Sequence, residues 1–140
     1  QCMGMQEDSR ELWFREHPWA TTAELAKLLC GRALTATPRL GERNEHHPKG
    51  YIVGQRTMAK LSSIDGKTEI VAVEIEVTGL AFRPLKDLAP EDLVECGPAY
   101  PNAERVGSIL GYFERRTIQP GEMVTVVRFA YRGEPKIAGG

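Results

Sequence analysis

The feature that most constrains the fold is an alternating run near the middle of the chain, EIVAVEIEV at residues 69–77. Every second position from 71 to 77 is β-branched: Val71, Val73, Ile75 and Val77. Glu74 and Glu76 fall on the opposite face of an extended chain. A period of two predicts a strand with one buried face and one solvated face.

The other elements are predicted by similar local patterns. MVTVVRFAY, at 123–131, is rich in β-branched and aromatic residues and predicts a final strand. Asp65-Gly66 predicts a hairpin turn before the alternating run. Further strands are predicted at Glu11–Arg15 and from Gly50 to Ser63, the latter broken or bulged at Gly54.

Three helices are expected between these strands. Thr21 and Glu24 form a T-x-x-E capping box, so a helix is predicted over 22–30, with Gly31 as its left-handed end. A second helix begins at Pro90 and stops at Gly97. The third helix, opened by Pro101-Asn102, carries a stripe of four apolar residues: Val106, Ile109, Leu110 and Phe113. Strands with helices set apart predict an α+β fold containing a small mixed or closed sheet.

The 140 residues correspond to one domain, which we predict over 11–132, with flexible termini at 1–10 and 133–140. No apolar run approaches the roughly 20 residues that span a bilayer, so no membrane partner is expected. Three cysteines without a CxxC spacing (Cys2, Cys30 and Cys96) favour a reduced, cytoplasmic protein. No cofactor is expected, and the oligomeric state stays open.

Residues 31–50 form the least regular segment, with Pro38, Gly41, Pro48 and Gly50 and no sustained period. They predict a long loop containing a short extended piece at 34–37, and long loops in compact domains are often functional. His46 and His47 are adjacent, whereas zinc ligands are usually spaced and joined by cysteine or carboxylate. No metal site is therefore predicted, and the histidines are assigned to an exposed, flexible rim.

Charge is distributed unevenly although the net charge is −1. Residues 31–62 hold six Lys or Arg against two Glu, whereas residues 63–95 hold three against eight Asp or Glu. A basic half beside an acidic half predicts one face that meets an anion. Two solvated surfaces with a chance imbalance are an equal alternative.

The ordered set of segments resembles the ASCH domain family of the PUA-like superfamily. The resemblance is carried by LLCGRALTATPR (28–39), YIVGQ (51–55), DLAPEDLVECG (87–97) and VTVVRFAY (124–131). It implies a small PUA-like mixed β-barrel with flanking short helices. It also implies RNA binding in a cleft beside the barrel, lined by a Thr/Arg motif.

Some members of that family are hydrolases, which act on an acylated cytidine nucleoside or on RNA. Their motif, G-[RK]-K-T-x-T-x-R, is matched by Gly31, Arg32, Thr35, Thr37 and Arg39 with one residue inserted. The second lysine has no counterpart, since its place falls on Ala33 or Leu34, and the family's glutamate falls near Glu95 or Cys96. Without that lysine the activating group for hydrolysis is absent, unless the fold brings Lys60 or Lys27 into the cleft.

We therefore predict that the 31–60 region forms a basic cleft for RNA or a nucleotide-like ligand. Its binding residues are predicted to be Arg32, Thr35, Thr37, Arg39, Arg43, Tyr51, Arg56 and Lys60. Tyr51 is expected to stack on a base, ahead of Trp13, Phe14 and Trp19, of which the first two are expected in the core. The alternatives are a hydrolase in the same cleft, with Lys60 and Glu95 as catalytic candidates, and an interaction module without catalysis.

Overall fold

The structure is a computed structural model and describes residues 10–138. Within them the elements follow in this order: β1 (Leu12–Phe14), α1 (Thr22–Cys30), β2 (Ala36–Leu40), β3 (Arg56–Ser62), β4 (Glu69–Pro84), two 3₁₀ helices (Leu85–Asp87 and Pro90–Cys96), α2 (Ala103–Glu114), β5 (Met123–Tyr131) and β6 (Lys136–Ile137).

All the described strands belong to one mixed sheet that curls into a half-barrel. The strand order is β1-β3-β4-β5-β2, and β6 pairs with β4. β1 runs parallel to β3, and the other pairs are antiparallel. This confirms the predicted α+β class and the small mixed barrel with short helices. β1 and β2, which lie far from each other in the strand order, form the two edges.

The alternating run lies in β4 as predicted. Each of its four apolar residues is at most 1% exposed, because this face of the strand packs into the core below α1. β5 is buried on both faces: Val126 joins a second core beneath α2, whereas Val127 and Phe129 join the first. The apolar stripe of α2 is also confirmed, with Val106 and Ile109 fully buried.

Both bounds of α1 are as predicted, but the left-handed residue that follows the helix is a different one. The capping box is present: Thr21 Oγ1 accepts from the Glu24 N–H, and Glu24 accepts from the Thr21 N–H at 2.8 Å. Gly31, however, has a φ of −84°, and Arg32 adopts the left-handed conformation with a φ of 58°. The Arg32 N–H bonds to Leu29 O and the Ala33 N–H to Leu28 O, which together form a Schellman ending with arginine in place of glycine.

The segment predicted as a long loop contains β2, which places Pro38 within a strand. An edge strand tolerates proline because one of its sides needs no partner. The remainder of the loop, 41–50, is a close-packed turn rather than a flexible rim. A Cβ at Gly50 would lie 1.7 Å from the Asn44 carbonyl oxygen, so only glycine fits there. Arg10 Nη1 also donates to Gly50 O at 2.9 Å.

Two boundaries and one helix type differ from the prediction. Residues 51–55 are not part of a strand, since β3 begins at Arg56. The helix at Pro90–Cys96 is a 3₁₀ helix. The tail expected to be flexible at 133–140 contains β6, which pairs with Val71 and Ala72 of β4. Residues 1–9 of the predicted N-terminal tail lie outside the described part of the chain.

Candidate ligand-binding cavity

A cavity of about 870 Å³ lies between the β1 and β2 edges of the sheet and the two helices. This volume is in the range of small-molecule sites. Residues on its wall come from β1, β2, both helices, the segment before α1 and the segment before α2. Three predicted binding residues are among them: Thr37, Arg39 and Arg43.

Arg39 connects the two edges of the sheet. Its Nη1 donates to Thr37 Oγ1 at 2.7 Å and to Pro38 O at 3.0 Å, while Nη2 donates to the Trp13 carbonyl oxygen across the gap. The guanidinium carbon lies 5.0 Å from the centre of the Phe14 ring, a cation–π distance. Arg39 forms no ion pair with a carboxylate in the described residues.

Arg43 is the second of the predicted cations that line the cavity. Its Nε donates to Leu40 O at 2.7 Å and its Nη1 to Lys49 O at 3.2 Å, so its guanidinium is held by backbone carbonyl groups. Burial lowers the pKa of Arg43, and the charge of Arg39 lowers it further. Like Arg39, Arg43 has no ion-pair partner between residues 10 and 138.

The two predicted threonines have different positions. Thr37 is 2% exposed, lines the cavity and accepts a hydrogen bond from Arg39. Thr35 does not line the cavity; its backbone N–H donates to Glu95 O, and its carbonyl accepts from the Phe129 N–H. Only Thr37 is therefore placed to contact a ligand in the cavity.

The other three predicted cations lie outside the cavity and are paired with carboxylates. Arg32 is 3.0 Å from Glu134. Arg56 contacts Glu74 at 2.7 Å and Glu76 at 3.6 Å.

Lys60 makes two further ion pairs, 3.0 Å from Glu11 and 3.2 Å from Glu69. Burial acts to lower the pKa of Lys60, but the two carboxylates outweigh it and raise that pKa. The protonated form is thus favoured, and a protonated amine is not a nucleophile. Glu95, the other catalytic candidate, is exposed and lies 3.6 Å from Arg128, outside the cavity.

Some of these pairs join the basic segment to the acidic one. β3, from the basic segment, lies beside β4, from the acidic segment, and Arg56 is directly opposite Glu76 in the register. Opposite charges on paired strands stabilise the sheet. Two of the six cations of residues 31–62, Arg56 and Lys60, are thus paired within this hairpin, and the cationic part of the cavity is smaller than predicted.

Tyr51 does not occupy the exposed stacking position that the sequence suggested. It is 3% exposed and packs in the core beneath α1, so a base cannot reach its ring. The aromatic residues that do line the cavity are Trp13, Phe14, Trp19, Tyr100 and Phe113. Trp13 is 42% exposed and Trp19 is 39% exposed, whereas Phe14 is buried.

Three of the cavity residues were missed from the sequence: His17, Tyr100 and Phe113. His17 packs edge-on against Phe113, with ring centres 5.8 Å apart, and lies 6.3 Å from Tyr100. Burial raises the pKa of Tyr100 to about 12, so its hydroxyl keeps its proton. No local motif joins these residues, which come from three separate segments; only the tertiary fold does.

The histidines at 46 and 47 lie in the turn below the cavity. His46 is exposed and 3.8 Å from Glu45. His47 Nδ1 accepts from the Lys49 N–H at 2.9 Å. Within residues 10–138, no group of three His, Cys, Asp or Glu side chains is arranged to hold a metal ion.

Stability is expected to fall as the pH drops below about 6.5, because His17 is buried as the neutral form. Burial lowers the pKa of His17, Arg39 lowers it further, and Glu16 opposes them. The unfolded chain then takes up a proton at a higher pH than the folded chain does, so acidification from the ordinary histidine pKa favours unfolding. Urea denaturation between about pH 7.5 and pH 5 measures this. His17→Asn should show a shallower acid decrease, whereas the control His46→Asn should keep the wild-type profile; equal profiles for all three contradict the prediction.

Comparisons with solved structures identify the fold. No family model matches the sequence, and no curated protein matches it. Protein EF3133 from Enterococcus faecalis, described as a DUF984 family protein, aligns at a TM-score of 0.60 and 13% identity, over 88% of this chain and 80% of its own. An ASCH domain from Lactobacillus crispatus aligns at a TM-score of 0.53 and 15% identity, over 86% of this chain and 79% of its own.

The class defined by these observations is a small α+β protein with a PUA-like barrel. Within that class, the chain has the fold of an ASCH domain, as the sequence resemblance implied. In the part of the chain that the structure describes, no helix is long and apolar enough to cross a membrane.

Proposed function

We propose that the cavity binds RNA or a nucleotide-like ligand through its phosphate and its base. The observation that carries the proposal is the contrast among the predicted cations. Arg39 and Arg43 line the cavity without a described carboxylate partner, whereas Arg32, Arg56 and Lys60 are ion-paired elsewhere. Guanidinium groups match the geometry of phosphate oxygens.

The electrostatics of the cavity support an anionic ligand. Four cations line the cavity, Arg15, Lys27, Arg39 and Arg43, against two carboxylates, Glu24 and Glu114. The lowered pKa of Arg43 reflects the cost of holding its charge away from water. An incoming phosphate offsets that cost by supplying the opposite charge. The partly exposed rings of Trp13 and Trp19 supply surfaces on which a base can stack.

Lys27 supports a second candidate, hydrolysis of an acylated cytidine nucleoside or of RNA in the same cavity. Lys27 belongs to α1 and lines the cavity. It is exposed, and it does not occupy the position of the lysine in the family motif. Release of cytidine from an acylated cytidine, abolished in Lys27→Met, would support this function. An interaction module is supported if neither turnover nor binding occurs.

A reducing, cytoplasmic location is part of the proposal, because the described Cys30 and Cys96 form no disulfide with each other.

Binding of a labelled single-stranded oligouridylate, measured by fluorescence anisotropy at several salt concentrations, tests the proposal. Two phosphate contacts on a single strand predict a slope of about −1.4 in a plot of log affinity against log salt. The double variant Arg32→Ala/Arg56→Ala is the control and should retain the affinity and the slope, because both arginines lie outside the cavity. Absence of salt-dependent binding, or an equal loss in the control, contradicts the proposal.

A further inference from the structure

His17 is held rigidly at the cavity wall. Its backbone exchanges two hydrogen bonds with Ala20, each of 3.1 Å, across the Pro18-Trp19 turn. Its side chain is fixed by a third bond, in which Nδ1 accepts from the Trp19 N–H at 3.2 Å. Because Nδ1 is an acceptor, the neutral imidazole carries its proton on Nε2.

The Nε2–H group has no hydrogen-bond partner among the described residues. His17 is 93% buried, and no residue between 10 and 138 provides a hydrogen-bond partner for Nε2. No buried side-chain nitrogen in that part of the chain lacks a partner, so Nε2 must keep accessible surface. His17 is one of the residues that line the cavity, so a ligand bound there can supply the missing partner.

The groups around His17 define which kind of ligand Nε2 can contact. The rings of Trp19, Tyr100 and Phe113 lie around the imidazole at centre distances of 5.8 to 6.4 Å. Arg39 lies close enough for its charge to act on His17. The cavity therefore combines an aromatic wall, a neutral hydrogen-bond donor and a cationic side.

We propose that His17 is a specificity-determining residue, which selects ligands whose neutral planar ring carries a hydrogen-bond acceptor. Together with Arg39 and Arg43, it would recognise a nucleoside monophosphate with a carbonyl-bearing base. The aromatic residues contact the ring, Nε2–H donates to the carbonyl oxygen, and the arginines bind the phosphate. This inference rests on the proposed function, since the arginines provide the anion site.

The hydrogen bond that holds the turn uses Nδ1 of His17 and does not require Nε2. An asparagine carbonyl oxygen, at the position of Nδ1, also accepts from the Trp19 N–H. A glutamine amide nitrogen, by contrast, reaches about as far as Nε2 and restores the donor. His17→Asn and His17→Gln therefore form a matched pair that separates holding the turn from contacting the ligand.

Titration of the wild type and both variants with uridine monophosphate and with ribose phosphate, by calorimetry, tests the inference. We expect His17→Asn to bind uridine monophosphate about tenfold more weakly, which corresponds to one lost hydrogen bond. His17→Gln should retain most of the affinity. Ribose phosphate, which has the anion but no base, should bind all three proteins equally. Thermal unfolding of each variant verifies that it is folded.

Several outcomes overturn the inference and are distinguishable from failure of the proposed function. Equal weakening of both probes in His17→Asn would show that the histidine acts only through structure. Equal losses in the asparagine and glutamine variants would overturn the donor role of Nε2. If wild-type protein binds ribose phosphate as tightly as uridine monophosphate, base recognition fails while the anion site stands. If neither probe nor oligouridylate binds, both proposals fail.

Discussion

Replacing Arg39 with alanine is expected to weaken oligouridylate binding by roughly 10- to 150-fold, the effect of losing one charge-assisted hydrogen-bonding group worth about 1.5–3 kcal/mol. Arg39 lies on the cavity wall and forms no ion pair with a carboxylate of the described residues, so its charge is available to a ligand. Its bonds to Thr37 and Trp13 fix the guanidinium before any ligand arrives. Preorganisation of this kind means that little side-chain entropy is lost on binding.

Two controls separate charge from shape at this position. Arg39→Lys keeps the positive charge but loses the planar fork, so the salt dependence should persist while the affinity falls. Arg56→Ala removes an arginine that is paired with Glu74 outside the cavity, and its binding should match wild type. Wild-type affinity in Arg39→Ala, with the protein folded, would disprove the assignment.

A second readout of Arg39→Ala does not depend on any ligand. The charge of Arg39 contributes to the lowered pKa of His17, although burial is the larger cause. Its removal should therefore raise the pKa of His17 without bringing it fully to the ordinary value. Titration of the histidine ring protons by NMR measures this change. An unchanged pKa would mean that the two groups do not share the cavity as described.

The elements that could be predicted from sequence are those that local patterns determine. The alternation in β4 reports directly which face is buried, and the capping hydroxyl of Thr21 marks the first turn of α1 within one residue. The stripe on α2 likewise identifies its buried face. In each case the signal lies within a dozen neighbouring residues.

β2 was predicted only in part, since the extended piece expected at 34–37 covers its first two residues, and the rest of the strand depends on a distant partner. Pro38 and the glycines around it resemble a loop, yet β5 pairs with all five residues from Ala36 to Leu40. Arg32 is a similar case: a non-glycine residue takes the left-handed position, and the sequence favours its neighbour Gly31 for that role. Local propensity is a weak prior that tertiary contacts override.

The cavity was predicted only in part, for two different reasons. The Asp65-Gly66 turn predicts that the basic and acidic segments pair, but a two-residue turn places Arg56 opposite Ile75. The bulge between Leu61 and Ser62, which has no signal in the sequence, brings Arg56 opposite Glu76. His17 and Tyr100, in contrast, are separated by most of the chain, and no spacing rule joins them.

Replacing Leu29 with alanine is expected to lower the free energy of unfolding by about 2–5 kcal/mol, the usual cost of a cavity left by a buried leucine. Leu29 is 0% exposed and, together with Leu25, anchors α1 in the core shared with β3 and β4. Its neighbour Leu28 is half-buried on the cavity side of the same helix, so Leu28→Ala is a control with the same chemical change. Because the side chain of Leu28 buries less apolar area than that of Leu29, Leu28→Ala should lower the free energy of unfolding by clearly less.

Urea denaturation of both variants at neutral pH measures the two costs, and the ligand titrations distinguish their consequences. Leu29→Ala should bind oligouridylate normally at temperatures where it is folded, since Leu29 lies behind the cavity wall. Leu28→Ala changes that wall and should alter binding while the fold stays stable. Equal losses of stability in the two variants would contradict the assignment of Leu29 to the core and of Leu28 to the cavity wall. In that case α1 would pack on the sheet in a different orientation, and Lys27 would lie at a different position relative to the arginines.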